Sequence, residues 1–174
     1  MKKLLVLFII LTIFLSGCGI YHLSNFALPD DTEFLALIQE LDTPEKIGNY
    51  MIKNFTYQIH DFYTPDPYTL YLIKKGDCND FATFGIFIAN NHGYETYQIK
   101  ISYINTFTSH IIVVYKENEY YTFSENQYYY PVNYNNFFDI VELNSYWTYL
   151  SSKYIWSKYV VYDYNMNIIE QVIK

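Results

Sequence analysis

The segment "CNDFATFGIFIANNHG", Cys78 to Gly93, constrains the chain more than any other. Phe81, Ala82, Phe84, Ile86, Phe87, Ile88 and Ala89 leave almost no polar side on a helix. A helix of that kind cannot lie on a surface and has to be enclosed by a sheet and by other helices. Asp77 is placed to cap it, and Asp80, three residues on, can return a bond to the cap's backbone as in a capping box. Gly93 supplies the left-handed stop.

The sequence on either side supplies the enclosing elements. "DDTEFLALIQEL" offers Asp30 or Asp31 as a cap, followed by Phe34, Leu35, Leu37, Ile38 and Leu41 at helical spacing. "DTPEKIGNYMIKNF" repeats that grammar, with Thr43 as cap and Pro44 at the first helical position. "YTPDPYTLYLIKKG" suits a loop leading into one short helical turn with Pro67 near its start. After Gly93 the period changes from helical to alternating. "YETYQIKISYI" and "SHIIVVY" read as strands, "KENE" as a hairpin connection and "YYTFS" as the return. Further β-rich runs lie at Tyr154 to Asp163 and Ile168 to Ile173, with a turn at Asn165 to Asn167. "NYNNFFDIVELNSYW" between them fits neither period well. Helices first and strands later predict an α+β domain on a mainly antiparallel sheet.

The N-terminus reads as an export signal. Lys2 and Lys3 precede an apolar run from Leu4 to Leu15, which is shorter than the roughly 18 to 20 residues a membrane span needs. Its end, "LSGC", is similar to the bacterial lipobox, whose cysteine is acylated and becomes the first mature residue. The expected organisation is therefore a signal at 1–17, a tether at 18–29 and one domain at 30–174, with lipid on Cys18. That places the protein outside the cytoplasm, anchored to a cytoplasmic or outer membrane. Cys78 is then left without a disulfide partner, so stability rests on the core; 51% hydrophobic and 21% aromatic residues are enough to build one. The net charge of −7 argues against nucleic acid as a partner. All 11 basic residues are lysines, so no guanidinium fork is present to clamp a phosphate or carboxylate.

Cys78 stands at the first position of the buried helix. Free backbone N–H groups and the positive end of the helix dipole stabilise a thiolate there and can also receive an oxyanion. A thiolate nucleophile needs a base, for which the candidates are His22, His60, His92 and His110. His22 falls in the tether. His92 falls at the far end of the helix, about 20 Å from the thiol at 1.5 Å rise per residue. His60 has only a loop around it. His110 opens a strand, where its ring can face a helix terminus, and is the expected base with His60 as the alternative. No cofactor is expected, and no metal, because Cys78 has no second cysteine and no histidine pair has helical ligand spacing.

From about Thr43 to Tyr130 the chain resembles the bacterial transglutaminase-like superfamily, which shares its fold with papain-like thiol proteases. The resemblance rests on "TPEKIGNYMIKNFTY", on "KKGDCNDFATF" with "NHGYETYQI", and on "SHIIVVYKENEYYTFSEN". It implies a papain-like transglutaminase core in which Cys78 is the nucleophile and His110 the base. The substrate would be a peptide or protein amide, either hydrolysed or transferred through an acyl-enzyme. The family's orienting aspartate falls here on Ser124. Asn126 is the alternative orienting residue, and Glu125 is expected on the opposite face. The oxyanion would lie against the N–H of Cys78 and the hydroxyl of Tyr57. The competing reading is a non-catalytic binding module, presenting some of its 22 tyrosines, as in "QYYYPVNY", to a peptide or glycan.

Overall fold

The computed structural model describes residues 26–60, 66–104, 108–152 and 155–174. The expected signal at 1–17, Cys18, His22 and all but the last residues of the tether lie outside the described residues. The helical half of the chain supplies α1 (Thr32–Glu40), α2 (Pro44–Asn54), α3 (Pro67–Ile73) and α4 (Cys78–Asn91), with two-residue strands β1 (Thr56–Tyr57) and β2 (Lys75–Gly76) between them. The second half supplies β3 (Glu95–Tyr103), β4 (Ser109–Glu117), β5 (Tyr120–Glu125), β6 (Tyr128–Tyr134), α5 (Phe137–Ser152), β7 (Trp156–Asp163) and β8 (Ile168–Ile173). The fold is α+β, and strands β3 to β8 form one six-stranded antiparallel sheet in the order β6-β5-β4-β3-β7-β8.

Local chemistry sets the helix boundaries. Asp31 accepts bonds from the N–H groups of Glu33 and Phe34 at the start of α1, and Thr43 accepts from Lys46 at the start of α2, where Pro44 takes the first position. Each such cap is worth about 1 kcal/mol. Gly93 adopts φ +80°, the left-handed conformation that ends α4. His92, just before it, bonds through Nε2 to the carbonyl of Ile38 at 2.6 Å and so ties the end of α4 to α1.

The sheet is covered on both faces. On one, α4 packs on Ile111, Val113 and Tyr115 of β4 and is itself enclosed by α1, α2 and α3, with Phe34, Ile47, Met51, Phe81 and Phe84 fully buried. On the other, Ile99, Ile101, Ile112, Val114, Trp156, Tyr159 and Val161 meet Phe137, Ile140 and Val141 of α5. The alternation along β4 (Ile111, Val113, Tyr115 to one side, Ile112 and Val114 to the other) is the period-2 pattern of a strand buried on both faces.

Two elements depart from the sequence reading. "FFDIVELNSYW" forms most of α5, an assignment that its aromatic and β-branched content obscures and that burial against the sheet decides. "YYYPVNY" forms strand β6, an edge position at which Pro131 leaves no unmet hydrogen bond in the sheet interior. Three of its four tyrosines are used in packing: Tyr129 bonds to Glu117 at 2.5 Å, Tyr130 stacks on Phe123 with centroids 5.0 Å apart, and Tyr134 lies against the core on the α5 side, while Tyr128 is exposed. Among the described residues no helix is long and apolar enough to cross a membrane.

Candidate active site

Cys78 is the first residue of α4, and the cap in front of it is formed on both sides. Asp77 accepts from the N–H of Asn79 at 2.9 Å, and Asp80 accepts from the N–H of Asp77 at 2.6 Å. The two aspartates that flank the cysteine in sequence are therefore occupied by backbone donors of the first turn. Gly76 allows this seating, because a Cβ there would come within 2.7 Å of both the Cβ and the Oδ2 of Asp80. A further buried bond, from Gln98 of β3 to the side-chain carbonyl of Asn79 at 3.0 Å, fixes the same turn to the sheet. Cys78 is 8% exposed and forms no disulfide among the described residues.

His110, near the start of β4, meets Cys78. Burial lowers the imidazole pKa, but the hydrogen bonds and charges of Cys78 and Glu125 outweigh it and raise the pKa to about 9. Nε2 lies 3.4 Å from Oε1 of Glu125, in a pair whose side chains are 16% and 23% exposed. The ring thus stands between the Cys78 thiol and the Glu125 carboxylate, with Nε2 at ion-pair distance from Glu125 and without a hydrogen-bond partner among the described residues.

The carboxylate that reaches the His110 ring is that of Glu125, where the sequence expectation named Ser124 or Asn126. Ser124 lies opposite Val113, on the face covered by α4, where it is fully buried beside the Tyr115 phenol. Glu125 lies opposite Ile112, whose position shares the parity of His110, and a diagonal reach across the β4–β5 pair brings its carboxylate to the ring. Asn126 lies in the β5–β6 connection with φ 51°, and its buried Oδ1 has no hydrogen-bond partner among the described residues.

Sequence reasoning also missed what surrounds His60. Its Nε2 lies 2.5 Å from Oδ2 of Asp80 and 4.0 Å from Oδ2 of Asp77. His60, Asp77 and Asp80 are metal-ligating residue types whose donor atoms fall within 4.8 Å of one another. The 2.5 Å contact between the His60 ring and the Asp80 carboxylate is a short hydrogen bond. Tyr57, proposed for the oxyanion, is 47% exposed, and its ring centroid lies 6.3 Å from that of Phe81 in the first turn of α4.

The fold and this site define an α+β protein with a cysteine, a histidine and a glutamate converging at one helix start. No family profile and no curated protein sequence matches the chain. Among solved structures it is similar to LapG of Legionella pneumophila, at 17% identity and TM-score 0.46 over 56% of this chain and 64% of the other. The calcium-bound form of LapG gives 14% identity and TM-score 0.49 over 74% and 72%. The EGTA-treated form gives 14% identity and TM-score 0.48 over 74% and 70%. The chain thus spans just under two thirds of the first of these structures.

Proposed function

We propose that the protein is a transglutaminase-like thiol enzyme that cleaves or transfers the acyl group of a peptide or protein amide, tethered outside the cytoplasm through lipid on Cys18. The observation that carries this reading is the placement of the His110 ring against Cys78, at the start of α4, and 3.4 Å from the Glu125 carboxylate. In the proposed reaction the Cys78 sulfur attacks the amide carbonyl, and the developing oxyanion is received by the N–H of Cys78 and by Tyr57. His110 donates its proton to the departing amine, leaving a thioester on Cys78 and a neutral imidazole. Neutral His110 then takes a proton from water, which attacks the thioester, and the acid is released with the thiolate–imidazolium pair restored. An amine in place of water gives transfer. Hydrolysis is the expected outcome, since water is always present and no amine-selecting feature stands out in the sequence. The binding-module reading is weakened by Tyr129 and Tyr130 of β6, which are used in packing the sheet.

The test is a burst assay with a p-nitrophenyl ester. A stoichiometric release of nitrophenol and an acyl mass on Cys78 are expected, and neither in Cys78→Ser. A steady-state pH profile follows from the histidine. Its pKa is raised from 6.5 to about 9, so the proton needed by the leaving group is present below that value and is lost as the pH rises through it. The alkaline limb of kcat/KM should therefore fall near pH 9. In Glu125→Gln it should move to lower pH, because one of the two groups that raise the pKa is gone. A limb that stays in place in that variant would remove Glu125 from the mechanism.

A further inference from the structure

We propose that His60 is a positioning residue for Cys78: its Nε2–H holds Asp80, and through Asp80 the first turn of α4, in the geometry that presents the thiol. The inference rests on the reading of Cys78 as the nucleophile and adds a second histidine with a different task from that of His110.

Asp80 depends on very few bonds. Its side chain is fully buried, Oδ1 has no hydrogen-bond partner among the described residues, and Oδ2 is met by the N–H of Asp77 at 2.6 Å and by His60 at 2.5 Å. Burial raises the pKa of this carboxyl, and the bonds from His60 and Asp77 work against that rise. Without His60, one backbone donor is left to hold a buried carboxylate that already has one oxygen unmet, a state that is strongly disfavoured. Asp80 also has no freedom to relax toward Gly76, since the backbone there lies too close for even a methyl group. A change in the seating of Asp80 is therefore passed to Asp77 and the helix start, and Cys78 lies between the two.

The chain is built to bring His60 to this point. Thr56 donates its N–H to the carbonyl of Lys74 at 2.9 Å and Gln58 donates to Gly76 at 2.8 Å, so alternate residues of this segment meet the strand that leads into Cys78. His60 is the next residue in that alternation, and its contact is made by the side chain, with Asp80. Either the Nε2–H tautomer or the imidazolium supplies the required proton. Titratable groups facing this neighbourhood include Asp77, the cap of α4, Cys78 and Asp80 in its first turn, His60 itself, Tyr57 of β1, and His110 with Glu125 on β4 and β5.

The experiment measures iodoacetamide alkylation of Cys78 between about pH 5 and 10, read by peptide mass, in the full chain carrying wild-type His60, His60→Ala or His60→Gln. The His60 side chain is 29% exposed, so alanine leaves a space open to water. His60→Ala is expected to slow alkylation about tenfold near neutral pH and to move the acid limb upward, as Asp80 loses its compensating donor. His60→Gln, whose amide N–H can replace the lost donor, should stay within about twofold of wild type. Should the alanine variant fail to fold, His60→Asn, one carbon too short to reach, takes its place against His60→Gln. Equal rates in wild type and His60→Ala would overturn the proposal. So would a glutamine variant as slow as alanine, or wild-type reactivity lost on adding a chelator, which would make the cluster an ion site. Repeating the series with His110→Ala separates the two claims. If removing His110 changes nothing while removing His60 still slows the thiol, the catalytic reading fails and the positioning role stands.

Discussion

Replacing Glu125 with glutamine is expected to lower kcat/KM for amide hydrolysis by roughly 10² to 10⁴-fold while leaving the fold intact. The upper figure is the loss seen when the carboxylate of a catalytic triad is made neutral without a change of shape. Here the separation from His110 is 3.4 Å and both side chains keep some exposure, so the range extends downward. Ser124→Ala in the same assay should change the rate little, since that hydroxyl lies on the α4 face beside Tyr115. Steady-state kinetics with a peptide anilide would read both variants. A large loss in Ser124→Ala with none in Glu125→Gln would reverse the assignment made here.

The second large effect is on stability. Phe84 is fully buried in the middle of α4, with its ring centroid 5.0 Å from that of Phe55 and 6.1 Å from that of Tyr50. Truncation to alanine removes the ring from a site enclosed by α2 and the sheet, where neighbouring aromatic side chains cannot all close the gap. Phe84→Ala should destabilise the fold by about 3–5 kcal/mol, a large part of the roughly 5–15 kcal/mol that typical domains possess. Because α4 carries Cys78, thiol reactivity should become that of a free cysteine over the same denaturant range. Urea unfolding followed by tryptophan fluorescence reads the first quantity and alkylation the second. A loss under about 1 kcal/mol would mean that α4 is not the centre of the core.

How far the sequence foretells such a site depends on the range of the interaction. The capping of α1, α2 and α4 is legible because cap, first turn and stop lie within a few residues of one another: Asp31, Thr43 and Asp77 all act as their positions suggest. The burial of α4 and the antiparallel sheet follow from periodicity, and both are present. Helix α5 is less legible because its residues suit either state, and only the sheet beneath them settles which forms. The carboxylate beside His110 requires the register between β4 and β5, which a single chain does not spell out. A one-residue difference in that register exchanges Ser124 for Glu125. His60 and Asp80 stand twenty residues apart, with helix α3 and the short strand β2 between them, and no local pattern announces their bond.

The central claim is that His110 makes Cys78 a nucleophile, and the most direct measurement of it is the rate of iodoacetamide alkylation at Cys78 at about pH 6, where an ordinary thiol is almost entirely protonated. With His110 in place the rate should exceed that of the His110→Ala variant by about tenfold or more, with both proteins folded by circular dichroism. Equal rates in the two proteins would contradict the account, because the thiol would then owe nothing to the histidine beside it.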